Sequence, residues 1–221
     1  MAIVGIDLGT TNSVVATSRA GRAEVVLTQD GPLLPSVVAY TADEVLVGTV
    51  AQRMATAAPS RCITSVKRLM GARYAEVEAD LSTLAYAVEQ GAEGRLEIVV
   101  PGRRLTPAQV SSEILGRLRE SAAASGPAGA PVRAVITVPA YFDDNQRAET
   151  LLAARLADIE VLRLLNEPTA AALAFGVTQS HPTARRVAVY DLGGGTFDVS
   201  LLEIGAGVVQ VVATGGDTRL G

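Results

Sequence analysis

The chain has 221 residues, of which 48% are hydrophobic and 19% are charged, and its formal net charge is −4. This length and apolar content predict a globular α/β protein with an extensively buried core. The acidic balance, without a basic run beyond pairs, argues against a nucleic-acid-binding surface, so we expect no nucleic-acid partner.

Two further features indicate the cellular setting. Cys62 is the only cysteine, which excludes an internal disulfide and fits a reducing compartment. The sequence contains no run of 18 apolar residues and no signal-peptide core, because Asp7 interrupts the first apolar run. We therefore expect a cytoplasmic protein with no membrane partner.

The chain opens with a predicted meander of three strands, at residues 3–6, 14–17 and 23–27, separated by turn residues. The pattern then changes, with short strands predicted at 36–40, 45–47 and 96–100 and a helix at 50–57. We interpret residues 37–105 as an inserted small subdomain with its own core.

Helices and strands alternate from residue 106 onward. Thr106 and Pro107 are typical of a helix N-cap and first turn, and this helix is expected to end at Gly126. A strand at 132–138, a helix at 143–156, a strand at 161–165 and a helix from Asn166 follow. Residues 1–36 and 106–184 therefore have the element order of a ribonuclease-H-like half. Residues 185–221 predict the start of a second half.

One loop pattern occurs twice, after the first strand and after the strand at 187–190. Asp7 opens the first copy and Asp191 opens the second, and each copy continues with a Leu-Gly pair and further Gly and Thr residues. Glycines expose successive N–H groups, threonines add hydroxyl donors, and a carboxylate at a strand end can hold a hydrated divalent cation. Two such turns facing each other are typical of a clamp for a nucleotide triphosphate.

Four segments together resemble the 70-kilodalton heat-shock chaperones, the DnaK family. They are residues 5–13, 138–142, 166–172 and 191–198, and the match runs through the whole chain in order. Within that family, residues 63–71, 161–165 and 213–217 and the pair Asp143-Asp144 are most similar to the chaperones dedicated to iron-sulfur cluster assembly. The resemblance implies an actin-like ATPase fold with its first lobe complete and its second lobe truncated.

The same resemblance implies a site for ATP or ADP and Mg²⁺ between the two turns. The β-phosphate side would be lined by Gly9, Thr10, Thr11 and Asn12. The γ-phosphate would be wrapped by Gly193, Gly194, Gly195 and Thr196. Magnesium would be held, mainly through its waters, by Asp7, Asp191 and Asp198, of which Asp191 is also expected to take part in catalysis.

Three more residues receive catalytic roles from the resemblance. Lys67 would stabilise the charge that develops on the γ-phosphate, Glu167 would position the attacking water, and the Thr196 hydroxyl would lie near the γ-phosphate. From the residues alone, plainer interpretations stay open: a solvated lysine, an acid that suits a helix N-terminus, and a turn-forming threonine.

Pro139 and Arg147 match a proline and an arginine that relay the nucleotide state to the peptide-binding domain in this family. Their plainer interpretations are a strand terminator and an exposed helix charge. Leu151 and Leu152 stand where the family carries a Lys-Asp pair, so the charged docking surface for a partner is altered.

The function that we expect is slow ATP hydrolysis that switches a peptide-binding domain absent from this chain. The implied partners are a J-domain co-chaperone, client peptides and an iron-sulfur scaffold protein. Two rivals share the fold: a sugar or acetate-type kinase and an actin-like filament ATPase. A natural truncated product with a regulatory role is a further alternative, and the 221 residues alone are expected to be inactive.

Overall fold

The structure is a computed structural model and describes residues 2–126, 129–175, 185–205, 207–217 and 220. Its α-helices are α1 (Thr49–Ala57), α2 (Tyr74–Val77), α3 (Pro107–Ser125), α4 (Asp144–Leu156) and α5 (Glu167–Ala174). Short 3₁₀ helices lie at Pro59–Arg61, Val66–Leu69, Glu78–Thr83 and Ala92–Gly94. The strands are β1 (Ala2–Asp7), β2 (Asn12–Arg19), β3 (Arg22–Val25), β4 (Leu34–Pro35), β5 (Val38–Tyr40), β6 (Val45–Val47), β7 (Cys62–Ile63), β8 (Ala87–Gln90), β9 (Leu96–Val100), β10 (Arg103–Leu105), β11 (Val132–Val138), β12 (Glu160–Asn166), β13 (Arg185–Leu192), β14 (Phe197–Gly205) and β15 (Val208–Asp217).

The main sheet has the strand order β12-β11-β1-β2-β3, and β4 pairs with β2 beside it. Strand β1 runs parallel to β11 and antiparallel to β2, and β11 runs parallel to β12. Three parallel strands therefore end at the same edge, where Asp7 ends β1, Pro139 follows β11 and Glu167 follows β12. This topology gathers residues that are far apart in sequence at one edge of the sheet.

Helix α3 begins as its sequence predicts. The Thr106 hydroxyl accepts the N–H of Gln109 at 3.3 Å, and the Gln109 side chain accepts the N–H of Thr106 at 2.8 Å, which makes a capping box. The face carrying Val110, Ile114 and Leu118 is fully buried. The predicted helix end is also confirmed, because α3 stops at Ser125 and Gly126 caps it.

Residues 37–105 contribute two small sheets, with the orders β6-β5-β7 and β10-β9-β8. The expectation of a separate core in this segment is only partly right. Val37, Ala39, Ala51 and Cys62 form a small cluster of their own. Val38, Tyr40 and Ile98 instead join the main core together with Val4 and Ile136. Alternating side chains of one short strand point to opposite faces, so β5 serves both cores.

The last sheet has the order β13-β14-β15 and lies against α5. Leu202 and Ile204 of β14 are buried against Ala172 of α5. The opposite side is open, since Tyr190 is 73% and Leu192 is 70% exposed. The predicted boundary between residues 184 and 185 lies at the end of residues 176–184. These residues are outside the part of the chain that the structure describes.

Candidate functional site

The first turn, residues 8–11, follows β1. Leu8 is buried, which anchors the turn and leaves Thr11 at the surface. The carbonyl of Thr11 accepts the N–H of Ser36 at 2.8 Å. Asp7 accepts a hydrogen bond from the Thr137 hydroxyl at 3.0 Å, because the parallel register sets these residues side by side.

The second turn, residues 193–196, joins β13 to β14. The N–H of Gly193 donates to the carbonyl of Thr196 at 2.9 Å, which closes the turn. Asp191 and Asp198 stand opposite each other in the ladder just before and after it. Burial and the neighbouring Asp191 carboxylate raise the pKa of Asp198, and a hydrogen bond from the Thr196 side chain partly offsets this.

The glycines of the second turn lie against the threonines of the first turn. A Cβ atom built on Gly194 would lie 2.7 Å from the Thr11 hydroxyl oxygen, and one on Gly195 would lie 3.1 Å from the Thr10 methyl group. Only residues without a side chain permit this approach. The structure therefore brings the two repeated loops into contact.

Lys67 reaches the site from the 3₁₀ helix Val66–Leu69. Val66 and Leu69 are buried and hold this helix in place. Ser65 enters it with a φ of 53°, a left-handed conformation that is uncommon for a residue with a side chain and is often found at functional sites. The Lys67 ammonium donates to Glu167 Oε1 at 2.7 Å, and the two side chains are 11% and 17% exposed.

Glu167 is the first residue of α5, and its carboxylate is largely buried. Burial raises the pKa of Glu167, the Lys67 ammonium lowers it, and the charges of Asp7 and Asp191 raise it again. These carboxylates are hard oxygen donors, which suit a divalent cation such as Mg²⁺. Within the described ranges, no three acidic, His or Cys side chains converge closely enough to ligate a metal directly.

Two adjoining cavities open at this point. The acidic cavity, of about 290 Å³, is lined by Asp191 and Asp198 among others. The lysine cavity, of about 550 Å³, is lined by Thr10, Lys67 and Thr196 among others. Both cavities share three lining residues: Pro139, Tyr141 and Glu167. Asp7, Gly9, Thr11, Asn12, Gly193, Gly194, Gly195 and Arg147 line neither of these two cavities.

Tyr141 lines both cavities, and no motif in the sequence assigns it a role. Burial, together with the charges of Asp198, Glu167 and Asp191, raises the pKa of Tyr141 to about 12, while Arg68 lowers it. The phenol therefore stays protonated at neutral pH. The available sequence signal for Tyr141 was its position as an aromatic residue two places after Pro139, which directly follows β11.

Arg68 is the second residue that the sequence did not single out. Its guanidinium donates to the carbonyl oxygen of Gly195 in the second turn. The preceding residue, Lys67, does stand out in the sequence. It is the only lysine in the chain, and apart from a single histidine every other basic residue is an arginine.

Arg147 is not an exposed helix charge, which corrects the plainer interpretation of that residue. Its guanidinium donates to the Phe142 carbonyl at 3.0 Å and to the Asn166 side chain at 2.9 Å. Arg147 thus joins the turn after β11 to the end of β12, directly before Glu167. Leu151 and Leu152, on the same helix, are each 40% exposed.

The chain matches the family model described as Hsp70 protein over residues 3–221. It is 49% identical over 220 residues to the "Chaperone protein DnaK" of Deinococcus radiodurans, covering 99% of this chain and 34% of that protein. It is 50% identical over 219 residues to the "Chaperone protein HscA homolog" of Pasteurella multocida, covering 99% of this chain and 35% of that protein. The chain thus spans about a third of the length of these relatives.

The two identities are nearly equal, so they favour neither branch of the family, and the iron-sulfur assignment stays a prediction. No helix in the part of the chain that the structure describes is long and apolar enough to cross a membrane. The family match covers almost the whole chain. The chain belongs to the Hsp70 family and corresponds to the nucleotide-binding domain of its chaperones.

Proposed function

We propose that this chain binds Mg²⁺-ATP between its two turns and, within the longer protein, hydrolyses it to switch a peptide-binding domain. The observation that carries the proposal is the meeting of Thr10 and Thr11 with Gly194 and Gly195 beside the Lys67–Glu167 pair. Backbone and hydroxyl donors on both sides, with one cation between them, are what a transferring phosphoryl group needs.

The proposed roles follow from the positions. Thr10, Thr11, Asn12 and Gly9 bind the β-phosphate side, and the second turn (residues 193–196) wraps the γ-phosphate. Asp7, Asp191 and Asp198 hold the hydrated magnesium, which would neutralise phosphate charge when bound. Lys67 stabilises the charge on the transferring group. Glu167, whose pKa is raised by burial, accepts a hydrogen bond from the attacking water.

The finer fold assignment belongs to this proposal. We assign residues 1–36 and 106–184 to the core of a ribonuclease-H-like first lobe, residues 37–105 to its inserted subdomain, and residues 185–221 to the start of a second lobe of the actin-like ATPase fold. In support, the main sheet draws its strands only from the first set, while each smaller sheet lies within one of the other segments.

The proposal also covers the binding partners of the protein and its cellular compartment. A J-domain co-chaperone would stimulate hydrolysis, client peptides would bind the domain outside this chain, and an iron-sulfur scaffold protein is the more specific client. Pro139 and Arg147 would relay the nucleotide state, supported by the two bonds that tie Arg147 to the strand ends. The setting would be the reducing cytoplasm, where the buried thiol of Cys62 stays free.

The test is hydrolysis of ATP by the full-length protein, with and without a sugar acceptor, combined with sedimentation in the presence of Mg²⁺-ATP. We expect release of inorganic phosphate that a J-domain and a peptide accelerate, with no sugar phosphate and no sedimenting polymer. Sugar phosphate would indicate the kinase rival, and nucleotide-dependent polymer would indicate the filament rival.

A further inference from the structure

We propose that Arg68 positions the second turn for the reaction by holding the peptide group between Gly195 and Thr196. This inference rests on the function proposed above. Arg68 would act through Thr196 rather than on the phosphate itself, so it is a positioning residue.

The contact joins parts of the chain that are 127 residues apart. Arg68 belongs to the small subdomain, and its guanidinium donates to the carbonyl oxygen of Gly195. A Cβ atom built on Gly195 would lie 2.9 Å from Arg68 Nη2, so the guanidinium sits directly against this glycine. Hydrogen bonds from a charged donor are stronger than neutral ones and more directional.

The peptide geometry carries the effect to Thr196. A trans peptide group is planar, and its C=O and N–H bonds point in opposite directions. Because Arg68 holds the Gly195 carbonyl on its own side, the N–H of Thr196 must point to the other side. Thr196 also lines the lysine cavity, and its side chain hydrogen-bonds to Asp198. Holding this one peptide therefore fixes the direction of the Thr196 N–H, while the hydrogen bond to Asp198 fixes the Thr196 side chain.

The charge of Arg68 acts on three surrounding parts of the molecule. It lowers the pKa of Tyr86 in the small subdomain and of Tyr141 in the core, although burial raises both. It also holds the second turn. A single 3₁₀ helix thus delivers Lys67 to Glu167 and Arg68 to Gly195. Removing Arg68 should loosen the second turn and leave the Lys67–Glu167 pair in place.

The test uses Arg68→Met, Arg68→Lys and a matched control, Arg95→Met. Arg95 belongs to the same subdomain, is 73% exposed in its side chain and pairs with Glu93. Hydrogen exchange of the full-length protein is followed by mass spectrometry for peptides covering residues 193–197, with β11 as the internal measure of folding. The steady-state kcat for ATP hydrolysis and the Kd for Mg²⁺-ATP are measured in the full-length protein.

We expect Arg68→Met to speed exchange in the second turn by roughly tenfold, with β11 unchanged. It should lower kcat by roughly fivefold while the Kd for Mg²⁺-ATP changes by less than about twofold, because the first turn still binds the phosphates. Arg68→Lys should restore part of both effects, and Arg95→Met should match wild type.

An unchanged rate of hydrogen exchange in the second turn of Arg68→Met would contradict the contact between Arg68 and Gly195. Faster exchange with an unchanged kcat would overturn the positioning role. Wild-type protein that hydrolyses no ATP would overturn the proposed function and the kinetic role with it, and exchange would still decide the contact. These outcomes distinguish a failure of this inference from a failure of the proposed function.

Discussion

Lys67 and Glu167 face each other at 2.7 Å in a largely buried setting. In the full-length protein, Lys67→Ala should lower hydrolysis at saturating ATP by at least about tenfold, or about 1.4 kcal/mol of barrier, while ATP still binds. The reason is that the developing γ-phosphate charge loses its cation. Arg104→Ala, which removes a surface cation of the same subdomain, is the control. An unchanged turnover rate for Lys67→Ala would remove Lys67 from the mechanism.

Asp7 and Asp191 are assigned to the water shell of the metal. Replacing either by Asn should weaken Mg²⁺-ATP binding more than binding of metal-free ATP, because the substitution removes a negative charge that only the cation needs. Calorimetry with and without Mg²⁺ measures both affinities, with Asp43→Asn in an exposed turn as the control. Equal losses in the two titrations would mean that these aspartates hold the turns together instead.

The buried carboxyl group of Glu149 should make the stability of the chain depend on pH. Burial raises the pKa of this carboxyl group, a backbone hydrogen bond from Ala108 and the Arg95 charge lower it, and its Oε2 accepts no hydrogen bond among the described residues. A raised pKa means that the folded state loses stability as the carboxyl group ionises with rising pH. Glu149→Gln should therefore stabilise the chain at pH 8 and progressively less as the pH falls toward 5. Chemical denaturation at both pH values measures the difference, and a pH-independent effect would contradict this account.

The meeting of the two turns can be tested with glycines in two different elements. Gly194→Ala should destabilise the packing of the turns by about 1–3 kcal/mol, because the new methyl group would overlap the Thr11 side chain. Gly116→Ala in α3 is the matched control, since nothing beyond its chain neighbours and its own helix backbone lies within 4 Å of its built Cβ, and alanine favours a helix by about 0.5–1 kcal/mol. Opposite shifts in the unfolding free energy are expected. Equal shifts would mean that the turns do not touch.

Elements with strong local signals were predictable from the sequence. The strands at 45–47, 96–100 and 132–138 are confirmed residue for residue, because apolar runs bounded by turn residues define them. Strand β15 continues past its last apolar residue, Ala213, to Asp217, because its ladder with β14 extends that far. Backbone pairing of that kind leaves no hydrophobic signal.

The site was predictable only where a motif marks it. The two turns carry a repeated pattern, so their phosphate role could be hypothesised, and the structure adds that they touch. The contacts of Arg68 with Gly195 and of Arg147 with Asn166 join distant segments and depend on the tertiary fold. The resemblance gave Arg147 a role, but no local pattern in the sequence predicts either contact.

At the scale of the whole molecule, the described residues form one well-packed body and one sheet with an open face. The main core holds residues from β1, α3 and β11, whereas the sheet of β13, β14 and β15 is packed on one side by α5. We therefore expect residues 1–184 to form the stable part of the chain and residues 185–221 to dock loosely or to be protected by self-association.

The central claim is that these 221 residues contribute the phosphate clamp of a nucleotide site. In the fold proposed here, the base and ribose are held largely by parts of the second lobe that lie beyond residue 221. The most direct measurement is calorimetric titration of the 221-residue chain with Mg²⁺-ATP and Mg²⁺-GTP, with its monomeric state checked by sedimentation. The account predicts weak binding, with the two affinities within about threefold of each other, because a ligand pocket normally buries most of its ligand and the base would have no pocket here. Micromolar, adenine-selective binding by the monomeric chain would contradict it.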